Sequence, residues 1–143
     1  MVSNKGHFEM KITEPLGSAS VGPLIIRMAL GLYFLLVGME KVDKIPNFVY
    51  EIQQYNVLPG QAAWLYGSLL PILEIVVGIM LMIGVWMTLT GIIAILILTS
   101  IIAFFGVFPN RYFFFNKDLI LLAASISLLY TGAGAASLDN LKR

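Results

Sequence analysis

The chain has 143 residues, of which 59% are hydrophobic and 12% charged, and its formal net charge is +1. Soluble domains carry about 25% charged residues, so this chain lacks the polar surface to cover a soluble core. The small net charge excludes a basic nucleic-acid surface, and the absence of cysteine excludes disulfides, thiol redox chemistry and Fe–S ligation by this chain.

The distribution of charge points to a membrane. No charged residue occurs from Ile52 to Leu73, from Ile75 to Asn110, or from Leu119 to Leu138. A spanning helix needs about 20 predominantly apolar residues, and the second of these runs has room for most of two. The expected fold is all-α: a bundle of four transmembrane helices, residues 21–143, behind a polar N-terminal arm, residues 1–20. The arm does not read as a signal peptide, because Glu9 and Glu14 sit among Lys5, His7 and Lys11 with no apolar core.

The first span is expected from Val21 to Gly38 or Met39, with Pro23 in its first turn. Glu40 to Gly60 is the most polar stretch and contains Pro46. Its middle, Asn47 to Tyr55, has the pattern of a short interfacial helix with Phe48, Ile52 and Tyr55 on one side. The second span runs from Trp64 to Val85. The third runs from Thr88 to Val107, close enough to the second to lie antiparallel beside it. Pro109-Asn110 signals a turn. Asn116 caps the fourth span, Lys117 to Thr131, and Gly132-Ala133-Gly134 ends it before a polar tail from Ser137. Trp64, Trp86, Tyr112 and Tyr130 fall near span ends, where amphipathic rings favour the interface, and Tyr112 to Phe115 reads as an aromatic belt. Four crossings put both termini on one side. Lysines and arginines balance between the two sides, so the positive-inside rule does not orient the chain.

Two charges fall inside the spans. Arg27 enters roughly 7 Å deep, and Glu74 lies near the middle of the second span. Intramembrane charges face the bundle interior or a wet cavity and are functional candidates. Helical spacing places Arg27, Gly31, Phe34, Gly38 and Lys41 on one face, and Gly67, Pro71, Glu74, Gly78 and Leu81 on another. Glycines on such faces let helices approach closely. Pro71 leaves the Gly67 carbonyl without its helical donor one turn before Glu74. The fourth span offers Asp118, Leu122, Ser125, Leu129 and Gly132. The third has only Thr90, Thr99 and Ser100, so it is expected to meet lipid or a partner subunit. Lys41 and Asp118 read as helix-end charges. Two readings of the intramembrane site stay open. One is an ion pair of Arg27 with Glu74 or with Asp139. The other is a polar pocket in which Arg27 and Glu74 bind a quinone head group or relay a proton.

Weaker signals read as structure. Gly132-x-Gly134-x-x-Ser137 imitates half a dinucleotide fingerprint, but no strand precedes it, and a helix C-cap is expected. His7 is the only histidine, which excludes bis-His haem and a histidine metal cluster. The methionines read as packing. No metal site is expected.

Taken in order, Arg27 with Gly31, Gly38-x-x-Lys41, Leu70-Pro71-x-x-Glu74-x-x-x-Gly78, Lys117-Asp118 and Gly132-x-Gly134-x-x-Ser137-Leu138-Asp139 resemble the DoxX family of four-helix membrane proteins. Tyr55-Asn56-Val57-Leu58-Pro59 is similar to its methylamine-utilisation, or MauE-like, branch. The resemblance covers about Val21 to Asp139. It implies a multi-pass protein of a prokaryotic cytoplasmic membrane, associated with redox complexes and beside other membrane subunits. The expected function is a non-catalytic subunit of a respiratory or photosynthetic electron-transfer complex, helping to shape a quinone site. The alternative is an assembly factor or chaperone for membrane proteins. No cofactor is expected on the chain's own side chains, beyond a bound quinone or lipid.

Overall fold

A computed structural model of the chain describes residues 17–106 and 116–141. Among the described residues six helices follow in order: α1 (Val21–Val42), α2 (Ile45–Gln54), α3 (Gly60–Ile83), α4 (Met87–Phe105), α5 (Lys117–Thr131) and α6 (Leu138–Leu141), with no strand. Most of the polar arm and the Tyr112–Phe115 belt lie outside the described residues.

Three helices, α1, α3 and α4, are long and apolar enough to cross a membrane. Their outward faces carry large apolar side chains, such as Leu32, Leu36, Ile72, Val76, Ile92 and Leu96. A soluble protein hides such residues, whereas lipid accepts them. The protein is therefore an integral membrane protein with three candidate crossings among the described residues, where the sequence predicts four. The expected fourth, α5, has its expected bounds, but its 15 residues reach only about 22 Å against a hydrocarbon core of about 30 Å.

The α1–α3 pair is the spine of the bundle, and glycine makes it possible. A Cβ on Gly78 would lie 2.7 Å from the Leu35 nitrogen and 2.8 Å from the Gly31 carbonyl oxygen. One on Gly31 would lie 2.9 Å from the Gly78 oxygen, and one on Gly38 would lie 2.8 Å from the Pro71 oxygen. Backbone therefore meets backbone along two turns. In lipid, where no water is released on association, such close packing is what holds helices together. The expected Gly31, Gly38 and Gly78 faces do meet.

Gly67 does not join them. Its missing Cβ faces Val49 and Ile52 of α2. The antiparallel alignment explains why: opposite Gly67, α1 has already ended and α2 has taken its place. So α2 is no free surface helix. Phe48, Val49 and Ile52 are buried. Tyr55, expected on that face, is its C-cap, exposed and edge-on to Phe105 at 5.2 Å between ring centroids.

α4 is also a correction. Although almost wholly apolar, it buries Thr90, Gly91, Ala94, Ile97, Leu98 and Ile101, the 3.6-residue stripe of a bundle member. A Cβ on Gly91 would strike Leu129 of α5 at 2.7 Å, and the Tyr66 hydroxyl of α3 meets the Ser100 hydroxyl at 2.6 Å. Only its other face, with Leu89, Ile92 and Leu96, points outward. Ser125 of α5 is buried, but its hydroxyl donates back to Leu121 of its own helix at 2.9 Å.

Turn chemistry follows the sequence. Gly84 closes α3 at φ +73, its N–H reaching the Met80 carbonyl at 2.9 Å. The Asn116 side chain accepts from the Asp118 N–H at 3.0 Å and opens α5. Gly132 closes α5 at φ +75. α1 runs to Val42, past the expected end at Met39, and this extension carries Lys41 into the bundle.

Candidate functional site

The alignment of α1 with α3 sorts the intramembrane charges to two ends. Because Gly38 lies against Pro71 and Ile75 while Gly31 lies against Gly78 and Met82, Glu74 falls opposite Val37. Arg27 is then about ten residues away, or ~15 Å along the axis. Spacing along the chain leaves a direct Arg27–Glu74 pair open, and the structure corrects it: the two carry different partners.

Glu74 meets Lys41. The Lys41 Nζ donates to Glu74 Oε1 at 2.5 Å, with side chains 20% and 2% exposed respectively. The lysine ammonium also lies 4.9 Å from the centroid of the Phe48 ring. Glu74 Oε2 is buried without a protein partner. Beside this pair, Tyr33 of α1 donates to Asp118 Oδ1 of α5 at 3.2 Å. The exposed Lys117 stands 4.0 Å from the same carboxylate, and both Asp118 and Lys117 lie within electrostatic range of Glu74.

Tyr33, Lys41, Lys117 and Asp118 line a cavity of about 480 Å³ at the end of the bundle where α1 and α4 finish and α5 begins, and Glu74 lies behind Lys41. Its wall combines Tyr33, Lys41 and Asp118 with the apolar Val37, Ile101 and Phe105, and its rim carries Glu40, Lys44 and Glu51. Lys44 and Glu40 pair at 3.1 Å but are 60% and 69% exposed, so their attraction is largely screened. The wall offers cationic donors, a phenol and carboxylates beside aromatic and aliphatic surface. Such a mixture fits an amphiphile's polar end or a proton-handling group; among the described residues no group of three or more His, Cys, Asp or Glu is placed to hold a metal ion.

The opposite end is a clasp. Arg27, 1% exposed, donates from Nη1 to the Ala133 carbonyl and from Nη2 to the Ala136 carbonyl, both at 2.9 Å. Its Nε has no protein partner. The carboxylate of Asp139 accepts from the Trp86 N–H at 3.0 Å and the Met87 N–H at 2.9 Å. It thereby caps α4, whose N-cap residue Trp86 has φ +48 and no cap of its own. The Ala135 N–H reaches the Ser20 carbonyl at 2.9 Å. The segment after α5, expected as a polar tail from Ser137 on, is thus stitched to α1 and to the α3–α4 turn. Asp139→Ala should cost ~1 kcal/mol, as for a lost helix cap. Amide exchange at Trp86 and Met87 should rise while Leu98 in mid-α4 keeps its protection; unchanged exchange at the two amides would contradict the cap.

The family described as "Methylamine utilisation protein MauE" matches residues 19–116. The chain belongs to the MauE family. No curated protein and no solved structure matches it. The match spans α1 to α4 and includes Arg27, Lys41 and Glu74, while Asp118 and Asp139 lie beyond it.

Of the residues singled out in this MauE-family chain, Lys41 and Asp118 line the cavity with Glu74 behind Lys41, and Arg27 and Asp139 stand at the far end. The sequence reading misses Tyr33 and Lys117 as site residues. Tyr33 had a signal: it shares a helical face with Val37 and Lys41, spaced by four residues. Lys117 had only its place beside Asp118.

Proposed function

We propose that this chain is a non-catalytic membrane component of a redox enzyme system, serving the methylamine-utilisation role for which its family is named. The family match across α1 to α4 carries the reading. The chain's own chemistry limits its part. With no cysteine and one histidine, Fe–S clusters and bis-His haem have to come from a partner. Membership in an electron-transfer complex beside other membrane subunits is the form we favour, and the wider DoxX grouping is consistent with it.

In this reading α5 is a fourth, short crossing, accommodated by local bilayer thinning. Both termini then share a side, and a prokaryotic cytoplasmic membrane is the setting. The cavity suits the head group of a quinone or lipid: Lys41, Tyr33 and Asp118 meet the polar end, and Ile101 and Phe105 line the path of a tail. Mild-detergent purification of the tagged chain with its partners tests the reading. A stoichiometric redox enzyme in the mature complex is the expected result. If the enzyme matures only when the chain is present but does not retain it, the chain is an assembly helper instead.

A further inference from the structure

We infer that Glu74 is a proton-binding site reached from one face of the membrane only, through the cavity beside Lys41. The inference stands apart from the family reading and rests on an asymmetry of packing around one carboxylate.

Glu74 lies in mid-helix with its side chain 2% exposed. One oxygen is held by Lys41 and the other, Oε2, has no protein partner. Towards the cavity, the contact passes through Lys41, whose side chain is 20% exposed and forms part of the cavity wall. Towards the Arg27 end the route is closed. Leu30, Phe34, Val77 and Leu81 are each no more than 2% exposed, and Gly31 and Gly78 bring the two backbones together there. A layer of this kind excludes water.

The charged and titratable groups facing Glu74 are Lys41 and Tyr33 from α1, Asp118 and Lys117 from α5, and Tyr66 from its own helix. Glu40, Lys44 and Glu51 stand further out at the rim. α4 contributes no ionisable side chain. The step is a simple exchange: a hydronium ion from the aqueous phase gives its proton to the Glu74 carboxylate and leaves as water. The neutral acid no longer attracts the Lys41 ammonium, which is then free to turn into the cavity. Proton uptake in mid-membrane thus leaves the cation already in the cavity wall without its counter-charge.

Infrared difference spectra between acidic and alkaline buffers, on the full chain in lipid vesicles, test the proton site. A band of a dry protonated carboxyl is expected, lost in Glu74→Gln and kept in Asp118→Asn. Carbon-13 glutamate in the unaltered protein should shift the same band, which keeps the test sound if Glu74→Gln folds poorly. Absence of the band, its survival in folded Glu74→Gln, or indifference to the label would overturn the proposal. Because the chain has no cysteine, the route is testable by introducing one. Val37→Cys should react with a membrane-impermeant thiol reagent added on one side of sealed vesicles, and Leu30→Cys on neither. Rapid labelling of Leu30→Cys from the opposite side would refute one-sided access.

Discussion

Gly78→Leu is expected to lower the stability of the folded bundle by about 3 kcal/mol or more, at the upper end for overpacked sites. The space for even one added carbon is taken by backbone: the Leu35 nitrogen at 2.7 Å and the Gly31 oxygen at 2.8 Å. A flexible side chain could turn aside, but backbone in a packed helix pair cannot. The helices must move apart, and the close contacts at Gly31 and Gly38 are lost with them. Ile92→Leu, on the outward face of α4, should change stability by less than ~0.5 kcal/mol. Thermal unfolding in detergent compares the two, and equal melting temperatures would show that the α1–α3 contact does not hold the bundle together.

The second large effect concerns the Lys41–Glu74 pair, and it is asymmetric. Removing one partner of a buried ion pair typically costs ~3–5 kcal/mol because the other charge is stranded. Lys41→Ala strands Glu74, which is 2% exposed, and should approach that cost. Glu74→Ala strands Lys41, which is 20% exposed and has the cavity to turn into, and should cost less. The double variant should lose less than the sum of the single losses. Arg27→Ala combined with Glu74→Ala should instead be additive, because the two side chains share no partner and lie ~15 Å apart. A cycle showing strong coupling of Arg27 to Glu74 and none of Lys41 to Glu74 would reverse the assignment of partners.

Much of this is legible in the sequence, for identifiable reasons. The charge-free runs locate α3, α4 and α5, because lipid tolerates few charges, and α1 shows as an apolar stretch broken in its middle by Arg27 alone. Asn116 and Gly132 mark helix ends through turn chemistry that needs no tertiary context. The facing glycines of α1 and α3 are visible as periodic faces. What spacing along one helix does not contain is the vertical offset between two helices. That offset, set by which glycine meets which carbonyl, decides that Glu74 meets Lys41 and that Arg27 meets the turn after α5. The extra turn of α1 past Met39 matters equally, since it makes Lys41 a bundle residue and not only a helix-end charge. α4 escapes a reading that takes polar residues as the mark of an inner face. In lipid, Gly91, Ala94 and Ile97 mark one as well, by size and shape.

The sorting of charges to the two ends of the bundle is tested most directly by solid-state NMR in lipid bilayers. Lysine is labelled with nitrogen-15 at Nζ and glutamate with carbon-13 at Cδ, in a Glu40→Gln background that removes the exposed Lys44–Glu40 pair. A strong short-range Lys–Glu coupling that disappears in Lys41→Met is the result this arrangement predicts. No such coupling, together with a strong one between the Arg27 guanidinium and Glu74 in a second sample with nitrogen-15 arginine, would contradict it.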